Sequence, residues 1–289
     1  MSKKGLKTPL RYPGGKSRAC TKMGQYFPDL REYVEFREPF LGGGSVAIHV
    51  SKLYPHLKIV VNDLYEPLIN FWVNLQTFGD ELTKELKNLK ITNCNQDSAR
   101  CLFAEMKDVI NDNTKTDLER AVAFYVVNKC SFSGLTESSS FSAQASDSNF
   151  SMRGIEKLPE YSDIISHWHI NSYSYEYCFQ NNIHDGLFMY LDPPYDIKDN
   201  LYGKKGAMHK GFNHDQFAED CSKSSVHQLV SYNSDQLVKD RFKGWNAGEF
   251  NLTYTMRSVG EYMKDQQTRK ELLLFNYEKT VANLEVCTG

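Results

Sequence analysis

The tetrapeptide Asp192-Pro193-Pro194-Tyr195 follows an apolar run, Leu187 to Leu191, and puts a carboxylate, two prolines and an aromatic ring into one turn. Proline has no backbone N–H and fixes its own φ, so two in succession stiffen the turn and strip it of donors. What remains are acceptors: the Asp192 carboxylate and the Pro193 carbonyl. Fixed acceptors suit an exocyclic amine whose lone pair is delocalised into a ring, such as N6 of adenine. Hydrogen bonds from both amine protons would favour a pyramidal nitrogen and stabilise the positive charge that grows as it attacks an electrophilic methyl group. Tyr195 is suited to stack on the base, contributing about 1–3 kcal/mol against the few kcal/mol that flipping the base costs. The other reading of these residues is a rigid turn with an Asp cap.

Phe40-Leu41-Gly42-Gly43-Gly44-Ser45 forms a second turn after a strand candidate at Tyr33 to Phe36, and its glycines permit close approach of backbone to a ligand. The pattern is not G-x-G-x-x-G, and alone it is also a common strand-to-helix connection. Asp63 adds to it. About 20 residues further on, at the end of the next strand, a nucleoside-binding sheet needs a carboxylate for the ribose hydroxyls. Lys16 stands behind Gly14-Gly15, where backbone and ammonium can both meet a carboxylate; otherwise it is one more surface lysine.

These turns require a sheet that delivers them to one edge. Ser45 is the expected N-cap of a helix through Lys52, Leu57 to Val61 a buried strand, and Glu66 to Gln76 a helix. Strand, glycine turn, helix, strand opens a parallel α/β sheet. Three helix-length segments follow, Gly79 to Leu89, Gln96 to Asn111 and Asp117 to Asn128, and then a long polar loop from Lys129 to Gly154. The sheet resumes with strands at Leu187 to Leu191, Val226 to Tyr232 and Glu271 to Tyr277, with a helix at His214 to Ser222. The expected division is a domain made of 1–63 and 158–289, interrupted by a mainly helical module at 64–157.

Composition narrows the class. A chain of 289 residues with 40% hydrophobic and 24% charged residues reads as an ordinary globular protein. Its apolar runs are too short for a bilayer, and the first residues lack the apolar core of a signal peptide, so a cytoplasmic location is expected. Seven cysteines without a C-x-x-C pair point to packed, reduced thiols rather than a metal site, and the eight scattered histidines are taken as structural. The net charge of −2 does not advertise a nucleic-acid binder. It hides a basic start, with Lys3, Lys4, Lys7, Arg11, Lys16, Arg18 and Lys22, and a second basic stretch, Lys198, Lys204, Lys205, His209 and Lys210. Such runs are more commonly a solvated terminus and a solvated loop; their position beside the two turns favours contact with phosphate, Arg11 included.

The set Tyr12-Pro13-Gly14-Gly15-Lys16, Glu38 to Ser45, Asn62-Asp63, Asn128-Lys129 with Ser133-Gly134-Leu135, and Asp192 to Tyr195 resembles the Dam-type DNA adenine-N6 methyltransferases. The likeness runs on to Ser231-Tyr232-Asn233-Ser234 and Arg269-Lys270-Glu271-Leu272-Leu273, and the motif order is that of the alpha group. It implies a Rossmann-like methyltransferase sheet with an inserted target-recognition domain. It also implies methyl transfer from S-adenosylmethionine to a flipped-out adenine in double-stranded DNA, leaving S-adenosylhomocysteine and needing no metal. Cofactor contacts are implied at Tyr12, Lys16, Phe40, Gly42, Gly44, Asp63 and Asp192, and target-adenine contacts at Asp192, Pro193 and Tyr195. A hairpin in the inserted module would bring Asn128, Lys129, Phe132, Ser133, Leu135 and Glu137 to the DNA. Relatives that read G-A-T-C carry arginine where this chain has Glu137, and glutamate accepts from cytosine where arginine pairs with guanine, so a different site is expected. The Ser-rich segment from Ser138 to Ser151 departs from the family's hairpin as well. A cognate restriction endonuclease is a partner of many such enzymes. The alternatives left open are an amine of another class, such as cytosine N4 or an RNA base, and a DNA-binding relative without catalysis.

Overall fold

A computed structural model describes residues 7–12, 14–134, 139–195, 211–252 and 269–278. Its frame is a seven-stranded sheet in the order β3-β2-β1-β4-β5-β7-β6. The strands are β1 (Glu35–Glu38), β2 (Lys58–Asn62), β3 (His169–Asn171), β4 (Leu187–Leu191), β5 (His227–Asn233), β6 (Asn246–Leu252) and β7 (Arg269–Phe275). β1 to β5 run parallel, and β7 inserts antiparallel between β5 and β6. Parallel strands are covered on both faces and so read as continuous apolar runs. β4 is the clearest case, with all five residues buried.

From β1 the chain moves outward to β2 and β3, then returns to place β4 on the other side of β1. The carboxyl ends of β1 and β4 are therefore a switch point, where connections diverge and leave a crevice. The glycine turn leaves β1 there, the Asp192 turn leaves β4, and Asp63 ends β2 beside them. Asn62 ties these ends together: its side-chain amide donates to the Pro39 and Tyr173 carbonyls, and its Oδ1 accepts from the Tyr173 N–H.

The helices, in chain order, are α1 (Cys20–Met23), α2 (Ser45–Leu53), α3 (Glu66–Thr77), α4 (Gly79–Thr92), α5 (Gln96–Val109), α6 (Asp117–Cys130), α7 (Ala143–Ser148), α8 (Met152–Ile155), α9 (Leu158–Ile165), α10 (Glu176–Gln180), α11 (His214–Lys223) and α12 (Gln236–Arg241). Thr116 and Glu119 close a capping box on α6. The α3 to α6 helices share a continuous apolar core with the sheet. In it Phe71 stacks on Tyr125 at 5.8 Å, and Trp72 meets Trp168 at 5.7 Å.

Several expectations need correction. Ser45 is the first residue of α2 rather than its N-cap, because Gly44 takes the cap in a left-handed conformation (φ 65°) and the Ala47 N–H is taken by the Glu38 carboxylate. The polar stretch from Lys129 to Gly154 is not one long loop: it holds α7 and α8, each started by a serine, Ser142 accepting from the Ala145 N–H and Ser151 from that of Gly154. Buried Phe150, and Phe141 packed edge-on against Phe103, anchor them. β3, β6 and α9 were not foreseen. β3 is three residues long, and β6 carries Asn, Gly and Glu, poor strand formers held by pairing to β7.

Cys20, Cys130, Cys178 and Cys221 are buried free thiols, and Cys94 and Cys101 exposed ones; Cys287 lies outside the described residues. No helix among the described residues is long and apolar enough to cross a membrane.

Candidate active site

The crevice is a cavity of about 360 Å³, lined by Tyr12, Glu38, Gly42, Gly44, Asp63, Tyr175 and Asp192 among others. Its floor depends on glycine. At Gly42 (φ 47°) a Cβ would stand 2.8 Å from the Tyr12 ring, and at Gly44 it would stand 2.8 Å from the Trp72 ring. Trp72 also donates its indole N–H to the Gly42 carbonyl at 3.2 Å, so α3 fixes the turn from behind.

Asp63 adjoins the glycine turn. Its Oδ2 accepts from the Gly42 N–H at 2.9 Å and its Oδ1 from the Tyr65 N–H at 3.0 Å. Burial pushes its carboxyl up to about 6 against the pull of those donors. Glu38, at the end of β1, is 2% exposed, and its Oε2 has no hydrogen-bond partner. Burial, reinforced by Asp192, holds its carboxyl well above the usual carboxylate range. An orphaned acceptor in a cavity wall fits a ligand that brings a donor or a cation.

Asp192 and Lys16 meet in the cavity wall. The Lys16 ammonium donates to both Asp192 oxygens at 2.8 Å, to the Tyr195 hydroxyl at 2.7 Å and to the Gly14 carbonyl at 3.1 Å. Burial alone would lower the Lys16 pKa, but Asp192 and Glu271 raise it well above the ordinary lysine value. Ser231 adds a hydrogen bond to Asp192 Oδ1 at 2.7 Å. Asp192 is half-buried, with Pro194 beside it in the cavity wall; Pro193 is buried, and the half-buried Tyr195 ring lies 6.0 Å from that of Tyr232.

Phe40 continues the wall into an aromatic cluster, stacked on Tyr175 at 5.6 Å and edge-on to Phe212 at 5.8 Å. The sequence reading missed Tyr175, Phe212, Glu38, Ser231 and Glu271 as site residues. Glu38, Ser231 and Glu271 each stand in a motif that carries the family likeness, and Glu38 also ends the strand before the glycine turn, which was a usable signal. Tyr175 and Phe212 had none, because neither stands in a motif or at the end of a strand legible in the sequence.

With this geometry in view, a family model for the D12 class N6 adenine-specific DNA methyltransferases matches residues 12–257. The chain belongs to that family. It is an adenine-specific DNA methyltransferase, and the crevice with Asp192 is its candidate active site. Over 94% of its length it is 23% identical to Type II methyltransferase M.MjaIII of Methanocaldococcus jannaschii, covering 99% of that protein. Over 96% it is 24% identical to Type II methyltransferase M1.LlaDCHI of Lactococcus lactis subsp. cremoris, covering 97% of it. A 127-residue stretch is 28% identical to a DNA N-6-adenine-methyltransferase of Escherichia phage P1, covering 15% of that protein.

Of the residues expected to contact DNA, Asn128 and Lys129 stand at the end of α6 and Arg11 is hydrogen-bonded to Asn128. Asn128 is fully buried: its Oδ1 accepts from the Arg11 N–H at 2.9 Å and its amide donates to the Arg11 carbonyl at 2.6 Å. The Arg11 guanidinium donates to the Ser131 carbonyl. Lys129 lies over the Tyr125 ring at 5.2 Å, and burial together with Arg11 pushes its pKa down to about 7. Ser131 pairs with Phe141, closing a hairpin from which Phe132 protrudes, 46% exposed. Ser133 and Gly134 form the turn after it. Leu135 and Glu137 lie outside the described residues, as do Lys3, Lys4 and the second basic stretch, Lys198 to Lys210. No group of three or more His, Cys, Asp or Glu among the described residues is placed to hold a metal ion.

Proposed function

We propose that this enzyme methylates N6 of an adenine flipped out of duplex DNA, with S-adenosylmethionine seated in the crevice and Asp192 receiving the amine. The observation that carries the reading is the pairing of Asp192 with a glycine-floored cavity whose described walls hold four carboxyl groups, Glu38, Asp63, Glu176 and Asp192, with Glu271 behind them against the one buried lysine. That excess of acid suits a ligand bearing a sulfonium and an ammonium, and the unpartnered Glu38 Oε2 gives the ammonium an acceptor. When bound, S-adenosylmethionine supplies the electrophilic methyl group.

The chain's own residues divide the remaining work. Asp63 offers its carboxylate to the ribose hydroxyls, Gly42 and Gly44 let the backbone come close, and Tyr12 and Phe40 enclose the ligand. Lys16 pairs with the Asp192 carboxylate, and Asp192 and the Pro193 carbonyl accept hydrogen bonds from the two amine N–H groups and draw the nitrogen toward a pyramidal form. Tyr195 provides the ring on which the flipped base rests. Residues 64–157 supply the target-recognition surface. There Asn128 holds the Arg11 backbone, Arg11, Lys129 and Phe132 face the duplex, and Ser133, Leu135 and Glu137 are the further residues assigned to DNA contact.

Asp192→Ala tests the assignment. Methyl transfer to an adenine-containing duplex, followed with radiolabelled cofactor, is expected to vanish while cofactor and DNA affinities change little. Label transfer at the parental rate would remove Asp192 from the mechanism.

A further inference from the structure

Asp192 is fully engaged in the structure. Both oxygens accept from Lys16, and Oδ1 also accepts from Ser231. To receive a base amine the carboxylate must give up at least part of its pairing with the ammonium. A buried ammonium left without an anion is strongly unfavourable, so something else must hold that charge.

Glu271 is in position to do so. It is 1% exposed on β7, which lies between β5 and β6 in the sheet, so its backbone is fixed from both sides. Its Oε1 lies 3.2 Å from the Lys16 ammonium and accepts a hydrogen bond from the Tyr195 hydroxyl, which itself receives one from Lys16. One carboxylate therefore touches both the lysine that neutralises Asp192 and the aromatic residue of the same turn. Lys16, by contrast, sits on a short turn of three residues, Lys16–Arg18, free of sheet pairing. Glu271 lies beyond the segment that the family model matches.

We propose that Glu271 is a positioning residue for methyl transfer. It retains the Lys16 ammonium, still protonated, and fixes the Tyr195 ring while the Asp192 carboxylate turns to the target amine. No proton changes hands among the three groups; one hydrogen bond from Lys16 shifts its weight from Asp192 to Glu271. The inference rests on Asp192 as the amine acceptor.

The test uses the full chain, S-adenosylmethionine and an adenine-containing duplex, with single-turnover methyl transfer as the readout. Glu271→Gln removes the charge and keeps the shape. Its transfer rate is expected to fall about 30-fold or more, with cofactor and DNA dissociation constants within about 3-fold of the parent, the pattern of an interaction used in the chemical step. Glu271→Asp, which keeps the charge at a shorter reach, is expected to recover at least about a tenth of the parental rate, a rescue that a purely packing role would not give. A parental rate in Glu271→Gln, or a loss confined to cofactor affinity, overturns the proposal. Should Glu271→Gln show no cooperative melting, Glu271→Asp decides: slowed transfer with unchanged affinities supports the proposal, and a parental rate overturns it. Asp192→Asn is measured alongside. If it still transfers methyl groups, the assignment of Asp192 fails; if it is inactive while a folded Glu271→Gln is parental, only the role of Glu271 fails.

Discussion

At the scale of single residues, Lys16 and Asp63 show how burial is turned to use. Lys16 is 3% exposed and remains a cation because Asp192 and Glu271 surround it. Asp63 has backbone donors only, and burial brings its titration to about 6. A ribose diol donates to the ionised carboxylate, so cofactor affinity is expected to hold above that value and to weaken as pH falls below it, approaching about tenfold per unit. Titration calorimetry at pH 5 and pH 8 checks this, with Asp63→Asn expected to bind weakly and with a flatter pH profile. Equal affinity at both values in the parent would take Asp63 out of cofactor binding. Lys129 carries the opposite sign. Its amine is lowered to about 7, so part of its charge is gone above neutrality, and a nearby phosphate would restore it. DNA binding is expected to take up a proton between pH 7 and 8, measurable as a buffer-dependent binding enthalpy; Lys129→Met should abolish that dependence.

Elements act here through their ends. α2 begins on a left-handed glycine, its N-terminal Ala47 N–H answered by Glu38 from the strand before it, and α3 braces the same turn through Trp72. Gly44→Ala places a methyl group against the Trp72 ring in a backbone conformation that L side chains rarely adopt. A destabilisation of about 1–3 kcal/mol is expected by thermal or denaturant unfolding, together with weaker cofactor binding. A variant as stable as the parent would mean that the turn relaxes freely. The hairpin after α6 follows the same pattern: Asn128, at the end of the helix, fixes Arg11 of the N-terminal segment through both faces of one amide.

At the scale of the molecule, charge is distributed unevenly around a nearly neutral total of −2. Acid gathers inside the crevice, and base gathers in the N-terminal stretch and in Lys198 to Lys210. Phosphate contacts release counterions, so combined replacement of Lys3, Lys4, Lys7 and Lys210 by glutamine is expected to weaken DNA binding for all sequences alike and to flatten its dependence on salt. A salt slope identical to the parent's would make them solvated surface charges.

The sequence by itself determined what depends on local pattern. Leu187 to Leu191 was legible as a strand to the residue, because a strand buried on both faces needs an unbroken apolar run. The glycine turn, Asp63 and the Asp192 tetrapeptide were legible because each has a strand directly before it. What the tertiary structure alone decided depends on partners far apart in the chain. Sheet order brings Lys16, Asp192 and Glu271 into contact although 176 and 76 residues separate the hydrogen-bonded pairs Lys16–Asp192 and Tyr195–Glu271. The fold also brings Glu38 to the Ala47 N–H at the start of α2, with Gly44 at the cap and the Ser45 hydroxyl paired with that of Ser17. β3 and β6 could not be read locally, because three residues in one case and an Asn-Gly-Glu composition in the other become strands only when a neighbouring strand supplies their hydrogen bonds.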